Sequence, residues 1–207
     1  MRDLPLATVI RGGSVWALAF TSLAIMGSPG PATISLTAAG STFGVRRSAG
    51  YLVGIIVGST IVLAAVATGI TAALLAVPGL RPVLIAVSAA YLLWLAYKVA
   101  SAPALREHAA ATGAPSFAGG TAFGVANPKA WVAIGAVYAS SHLAGSPAAD
   151  AVAKVGVLSA MIVLINGAWL LVGASLSPLL THPVRGRILN VGLAGALVAA
   201  TAVAVVH

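Results

Sequence analysis

Cysteine is absent from the 207-residue chain, and acidic residues are almost absent, with three in all. Without thiols, a disulfide framework, a cysteine zinc site and thiol catalysis are excluded. Charged residues make up 7% of the chain and hydrophobic residues 60%, whereas about 25% of an ordinary soluble domain is charged. A water-facing surface cannot be built from so few charges, so most of the protein must face lipid.

The few charges are mostly basic, with eleven Lys and Arg residues and a formal net charge of +8. They stand singly or in pairs such as Arg46 and Arg47, separated by long neutral runs. A nucleic-acid surface requires a clustered patch or stripe of basic residues, so no nucleic-acid partner is expected. The spacing fits cytoplasmic loops that follow the positive-inside rule.

Neutral, apolar runs predict six membrane-spanning helices, each needing about 20 residues. We expect them near residues 14–41, 48–77, 82–100, 117–142, 151–175 and 188–206. A polar segment, 101–116, divides a single transmembrane domain (1–207) into halves of about 1–100 and 117–207. Because each half has an odd number of spans, the fold class predicted is an all-α polytopic membrane protein built from two inverted three-helix repeats.

The distribution of Lys and Arg between the loops on the two sides predicts the orientation of the protein in the membrane. Loops 1–2, 3–4 and 5–6 carry six Lys or Arg residues and the opposite side, including Lys154, carries four, so both termini are expected outside. Asp150 falls in a turn before the fifth span, so no span is expected to contain an acidic residue. The apolar run after Arg11 continues to Ala39, beyond the length of a signal peptide, so the first helix is expected to be retained.

The first unusual feature is the run Ser28-Pro29-Gly30-Pro31 inside the first predicted span. A proline in a helix interior removes a hydrogen bond and costs about 3 kcal/mol, so two prolines around a glycine predict a broken helix. Free backbone groups at membrane depth are tolerated only where protein or a water-filled cavity meets them. A kink accommodated by neighbouring helices is the structural alternative.

Asn127-Pro128-Lys129 predicts a second break, within the fourth span, where Lys129 has neutral runs on both sides. A lysine at the centre of a membrane helix costs about 2.5–3.5 kcal/mol on the insertion scale. The alternative is a lysine that reaches to water from the end of a helix beginning only at Asn127.

Both predicted breaks lie in the first helix of a three-helix half, that is, in helices 1 and 4. Paired interruptions of this kind are typical of a transporter's substrate site. Asn166 is a strongly polar side chain within the fifth predicted span, where lining the pathway and bonding another helix are equal alternatives. The candidate substrate-binding residues are Pro29, Gly30, Pro31, Asn127, Pro128, Lys129 and Asn166, and no cofactor or metal site is predicted.

Gly50, Gly54 and Gly58 form a stripe at four-residue spacing. Small residues at this spacing let two membrane helices approach closely. Packing is therefore the favoured role of the stripe, and such glycine-rich faces also suit a homo-oligomer.

These motifs resemble those of the LysE/RhtB family of bacterial amino-acid exporters. The resemblance lies in Pro29-Gly30-Pro31, in the stretch 89–98 and in Asn127-Pro128-Lys129-Ala130, which follow one another at the family's spacing along essentially the whole chain. The chain departs from the family pattern after Lys129, where an aromatic, proline-containing continuation is replaced by Trp131-Val132. The resemblance implies a multi-pass exporter in the bacterial cytoplasmic membrane.

The leading hypothesis is therefore a secondary transporter that exports amino acids or close derivatives by alternating access around the two breaks. Helix N-termini there, together with Lys129, would attract a substrate carboxylate, and backbone carbonyls would bind its ammonium group. Export of another small solute or of a metal ion is the alternative, although a metal requires ligands that the spans do not offer. An intramembrane protease using Ser175 lacks a base within reach, so no enzymatic activity is expected.

Overall fold

The computed structural model describes residues 12–69 and 113–176 continuously, together with isolated helical positions between 83 and 100 and between 187 and 199. Most of the predicted spans 82–100 and 188–206, and most of the polar segments 101–116 and 177–187, lie outside the described residues. All regular structure in the described part of the chain is helical. The five helices are α1 (Gly12–Met26), α2 (Pro31–Ala67), α3 (Phe117–Ala126), α4 (Pro128–Ala139) and α5 (Pro147–Ser175).

Local sequence explains where these helices begin. The side chains of Ser116 and Ser146 accept hydrogen bonds from the backbone three residues later and so cap α3 and α5. Proline occupies the start of α2, α4 and α5, where its missing N–H would have no partner within the helix.

The helix α2 folds back on itself at Gly44. This glycine has a φ of 74° and a ψ of 170°, a conformation that favours glycine over residues with a Cβ. The Tyr51 hydroxyl donates to Ser35 Oγ over 3.0 Å, whereas sixteen residues of straight helix would separate the two positions by about 24 Å. The segments 31–43 and 45–67 are therefore two packed helices joined at a tight corner.

Several predicted boundaries were wrong. The second span was expected to continue to residue 77, but α2 ends at Ala67, where Thr68 caps it and Gly69 adopts a φ of 73°. The fourth span, expected as 117–142, consists of α3 and α4 and ends at Ala139. The fifth begins at Pro147 because Ser146 caps it, which places Asp150 inside a helix that was expected to contain no acidic residue.

The outer surface of the described helices is apolar. Large hydrophobic side chains project from it, including Trp16 and Phe20 on α1 and Val132 on α4, which are 68%, 69% and 72% exposed. Within the described residues, α2 and α5 are long and apolar enough to cross a membrane. An extensive exposed apolar surface of this kind suits contact with lipid.

Two apolar clusters fill the interior. The Phe123 cluster joins α2, α3 and α5 through Leu36, Phe43, Tyr51, Ile55, Phe123 and Leu170. The Ile134 cluster joins α1, α2, α4 and α5 through Leu18, Val62, Leu63, Trp131, Ile134, Val137, Leu143, Leu158 and Ile162. Because both clusters draw on the segment 45–67 and on α5, they lie one beyond the other along those two helices.

Glycines bring the helix backbones into contact. A Cβ on Gly58 would lie 2.5 Å from the Thr121 carbonyl oxygen and 2.9 Å from Gly124 Cα, and a Cβ on Gly54 would collide with the Phe117 carbonyl. In the segment 31–43, before the Gly44 corner, Gly40 approaches the Leu170 carbonyl of α5. The faces of Gly54 and Gly58 are thus covered within the chain, which confirms the packing role predicted for them.

A buried ion pair joins the α4–α5 corner to α5. Lys154 Nζ lies 2.8 Å from the Asp150 carboxylate and 4.9 Å from the centre of the Tyr138 ring. Asp150 also accepts backbone hydrogen bonds from Leu143, over 2.5 Å, and Ala144, over 3.3 Å. Lys154 therefore lies in an ion pair inside α5, whereas the prediction of the orientation had counted it among the loop residues.

We expect Gly58→Ala to destabilise the protein by about 1–3 kcal/mol, because its Cβ meets the backbone of α3, which must move. Gly50→Ala is the matched control, since a Cβ there meets nothing within 4 Å. It should stabilise the helix by about 0.5–1 kcal/mol. Thermal unfolding in detergent measures both changes, and a shift of the same sign in the two variants would contradict this packing.

Asp150→Asn should destabilise the protein by about 3–5 kcal/mol, because it leaves the buried Lys154 ammonium without its partner. The double variant Asp150→Asn/Lys154→Met should recover most of that loss by removing both charges. The comparison requires the free energy of unfolding of both variants and of the wild type in the same detergent. Equal losses in the single and double variants would show that the pairing is unimportant.

Candidate functional site

The first break lies between α1 and α2, at residues 27–30, where the chain is not helical. Its backbone groups find partners elsewhere. The Gly27 carbonyl accepts from Trp169 Nε1 of α5 over 3.1 Å, and the Gly30 N–H donates to Thr33 Oγ1 over 2.8 Å. Side chains of the protein itself thus pair with backbone groups that the break leaves without a helical partner.

The second break is at Asn127, which ends α3 and caps α4. Its side-chain oxygen accepts the Lys129 N–H over 3.1 Å. In an uninterrupted helix that N–H would bond the Val125 carbonyl, which instead accepts from Trp131 Nε1 over 2.6 Å. The helix α4 does begin here, with Asn127 as its cap, and a separate helical segment, α3, directly precedes it.

Lys129 joins the two breaks. Its Nζ donates to the Ser28 carbonyl over 2.5 Å, to Ser28 Oγ over 2.8 Å and to the Pro29 carbonyl over 3.2 Å. Those carbonyls follow the C-terminal end of α1, where the helix dipole places partial negative charge. The ammonium is therefore bound by the first break rather than directed from a helix end into water.

Gly30 makes room for this bridge. A Cβ at position 30 would lie 2.6 Å from Lys129 Cδ and 2.8 Å from its Nζ. The φ of Gly30 is −170°, which any residue adopts, so the position requires glycine for space and not for backbone conformation.

A cavity of about 50 Å³ lies beside the bridge. On α5 it sits between Leu158 of the Ile134 cluster and Leu170 of the Phe123 cluster, and on α2 it sits between Ile55 and Val62. It is thus a polar layer between two apolar clusters. Its walls comprise Met26, Gly30, Ala32, Thr33, Ser59, Asn127, Lys129, Ala130, Ala133, Ile134, Ile162, Ile165 and Asn166.

Buried polar groups with unused hydrogen-bonding capacity line this cavity. Ser59, Asn127 and Asn166 are 7%, 4% and 8% exposed. Asn166 Nδ2 donates to the Ile162 carbonyl over 2.8 Å. The hydrogen bonds of the described residues include none to the Asn166 carbonyl oxygen, the Asn127 amide nitrogen or the Ser59 hydroxyl. These atoms face the cavity and are not fully buried, since Thr42 Oγ1 is the fully buried side-chain atom without a partner among the described residues. A water or a ligand in the cavity could therefore pair with them.

The predicted site residues divide into two groups. Gly30, Asn127, Lys129 and Asn166 line the cavity, and Pro29 offers its carbonyl to Lys129. Pro31 and Pro128 do not line it.

Pro31 and Pro128 instead occupy the first positions of α2 and α4. They act through the backbone, by ending one hydrogen-bonding pattern and starting the next.

Sequence reasoning missed Thr33 and Ser59. Thr33 lies one turn after the first break and Ser59 follows the glycine stripe, so each resembles an ordinary small polar residue of a membrane helix. A hydroxyl in an apolar helix is a weak signal because it often bonds its own backbone, as Thr60 does to the Ile56 carbonyl over 2.8 Å.

The described residues give no support to a metal site or a serine nucleophile. They contain no cluster of three or more His, Asp or Glu side chains that could hold a metal ion. Ser175 lies at the exposed end of α5, where its hydroxyl donates to the Val172 carbonyl over 2.7 Å. Asp150 lies outside the cavity walls and is occupied by Lys154.

An apolar exterior, two interrupted helices and a cavity with polar side chains between them fit an α-helical membrane protein. The model of one protein family, described as the LysE type translocator family, matches residues 23–207. The chain therefore belongs to the LysE type translocator family, a family of membrane transport proteins, which confirms the resemblance drawn from its motifs. No curated protein and no solved structure matches the chain significantly.

Gly30→Ala should cost about 1.5–3 kcal/mol of stability, because the new Cβ displaces the Lys129 ammonium from its acceptors. In a Lys129→Ala background the same change should be nearly neutral, since nothing remains to displace. The double-mutant cycle, measured by thermal unfolding, should thus give a coupling energy above about 1 kcal/mol. Additive effects would disprove the bridge.

Proposed function

We propose that this protein is a secondary transporter that exports amino acids or close derivatives across the bacterial cytoplasmic membrane. The observation that carries the proposal is the cavity at the two breaks, which is lined in part by polar side chains and lies between two apolar clusters. Substrate sites of transporters lie near the bilayer midplane, at discontinuous helices of this kind. Membership in a translocator family supports the same function.

The cavity walls suit a substrate carboxylate. The N-terminal ends of α2 and α4 contribute Gly30, Thr33 and Asn127, and a helix N-terminus carries partial positive charge. Lys129 adds a full charge, and the unpaired amide nitrogen of Asn127 adds a donor. The Asn166 carbonyl oxygen and the Ser59 hydroxyl also line the cavity, where they are acceptors for a bridging water or for another polar group of the substrate.

Alternating access follows from the two clusters. Separation of the Phe123 cluster would open the cavity to one side of the membrane, and separation of the Ile134 cluster would open it to the other. The cavity of about 50 Å³ holds only a few water molecules. We therefore interpret this conformation as one that is too small for a substrate, with room for it created as one cluster separates.

We also propose that the chain consists of two inverted three-helix repeats with both termini outside. Each half begins with an interrupted helix, α1 with 31–43 and α3 with α4. The next helix of each half packs its glycines on the interrupted helix of the other half. Gly58 of the first half contacts α3, which lies before the second break, and Gly173 of the second half contacts Thr37, which lies after the first break. The two contacts are reciprocal, which supports the repeat, but they differ in position along the interrupted helices.

Lys129→Ala should abolish export while the protein still inserts into the membrane, because it removes the one charged side chain that the described residues contribute to the cavity walls. The measurement is efflux from proteoliposomes loaded with a panel of labelled L-amino acids. Ser175→Ala is the control, since Ser175 lies outside the cavity, and it should export at the wild-type rate. Unchanged efflux by Lys129→Ala would disprove this role of the lysine.

Peptidase activity in the purified protein that is lost in Ser175→Ala would instead support the protease alternative. The same proteoliposome panel identifies the substrate. Absence of efflux for every amino acid, in protein that is folded and inserted, would disprove the proposed function itself.

A further inference from the structure

The acceptors around Lys129 Nζ form a compact site. Two are backbone carbonyls, of Ser28 and Pro29, and the third is the Ser28 hydroxyl, at distances of 2.5, 3.2 and 2.8 Å. A primary ammonium group has three N–H donors, which is the number of acceptors present. These acceptors belong to α1 and the break, whereas the lysine that fills them comes from α4, about a hundred residues later in the sequence.

The remaining contacts of the lysine show that the site and its occupant are separable. Lys129 is half-buried, and Pro29 is exposed, so the acceptors can be reached from outside the protein core. Among the described residues that line the cavity, no carboxylate pairs with the ammonium. The lysine is therefore held by neutral acceptors alone, which a second ammonium group could bind equally well.

We propose that the Ser28 and Pro29 carbonyls, with the Ser28 hydroxyl, form the ammonium subsite of the substrate, and that Lys129 occupies this subsite while no substrate is bound. On binding, the substrate's ammonium group replaces that of Lys129, and the displaced lysine pairs with the substrate's carboxylate. The assignment rests on the proposed function, and it defines the substrate class as zwitterions with a primary ammonium group.

The exchange explains why both charges of the substrate are needed. Two ammonium groups cannot share these acceptors, because like charges at such a distance repel strongly in a site of low dielectric constant. An amine without a carboxylate would leave the displaced lysine unpaired in the cavity. A carboxylate without an amine would not replace the lysine at the acceptors. A zwitterion supplies both partners and restores every hydrogen bond that the exchange breaks.

The test supplies the ammonium group separately. Lys129→Ala should unfold at a lower temperature than the wild type, and propylammonium, which replaces the truncated part of the lysine, should restore at least half of the loss in a saturable way. The uncharged 1-propanol and the donor-free tetramethylammonium should have no such effect. Lys129→Met should not respond to propylammonium either, because its thioether chain fills the space.

A second variant uses the absence of cysteine from the chain. Lys129→Cys can be modified at that position alone with 2-aminoethyl methanethiosulfonate, which attaches a primary ammonium, or with its trimethylammonium analogue, which attaches the same charge without N–H donors. The first product should unfold at a higher temperature than the second. Equal unfolding temperatures would overturn the subsite, as would an equal response of Lys129→Ala and Lys129→Met to propylammonium.

The wild-type protein tests the exchange itself. The amino acid that is exported best in proteoliposomes should raise the unfolding temperature, whereas propylammonium and propionate, added separately or together, should raise it by less than half as much. A full effect of either half-molecule would overturn the exchange. If the wild type exports an amino acid but Lys129→Ala shows no response to propylammonium, the subsite alone is refuted. If Lys129→Ala responds to propylammonium but the wild type exports no amino acid, the proposed function alone is refuted.

Discussion

The hydrogen bonds between the Lys129 ammonium and the Ser28 and Pro29 carbonyls connect the two interrupted helices. Each interruption by itself leaves backbone groups that a membrane interior cannot satisfy. The bridge resolves part of this problem on both sides at once, since it pairs a half-buried ammonium with freed carbonyls. Two further carbonyls, of Gly27 and Val125, accept hydrogen bonds from the indole N–H groups of Trp169 and Trp131. The breaks are therefore stable features of the fold and not local defects.

The position of the bridge depends on close helix packing. Gly58 and Gly124 allow α2 to contact α3, and Gly40 and Gly173 allow α2 to contact α5. These contacts place Ser59 and Asn166 beside the breaks and leave an apolar cluster on either side. Because a small cavity lies between two packed clusters, the proposed alternating access requires only that one of these clusters separate.

Much of this architecture is predictable from the sequence because its causes are local or compositional. Few charges predict a membrane protein, and proline with glycine at 29–31 indicates a position where a continuous helix is unfavourable. The boundaries were less predictable. Asp150 was expected in the turn before the fifth span, but α5 begins at Pro147, and pairing with Lys154 stabilises the carboxylate inside the helix. Ser59 was missed since nothing near it in the sequence identifies the cavity that it lines.

The sequence alone determined the class of protein, the family and the residues at which helices 1 and 4 contain proline, because hydropathy, backbone chemistry and motif spacing are properties of short segments. Only the tertiary structure decided which partner each of these residues has. Sequence reasoning placed Lys129 in a site for the substrate's carboxylate, whereas the fold places its ammonium on carbonyls a hundred positions earlier. The reason is physical: the Lys129 ammonium forms hydrogen bonds with the acceptors that the packed helices bring within about 3 Å. That proximity depends on glycine contacts between segments that are far apart in the chain.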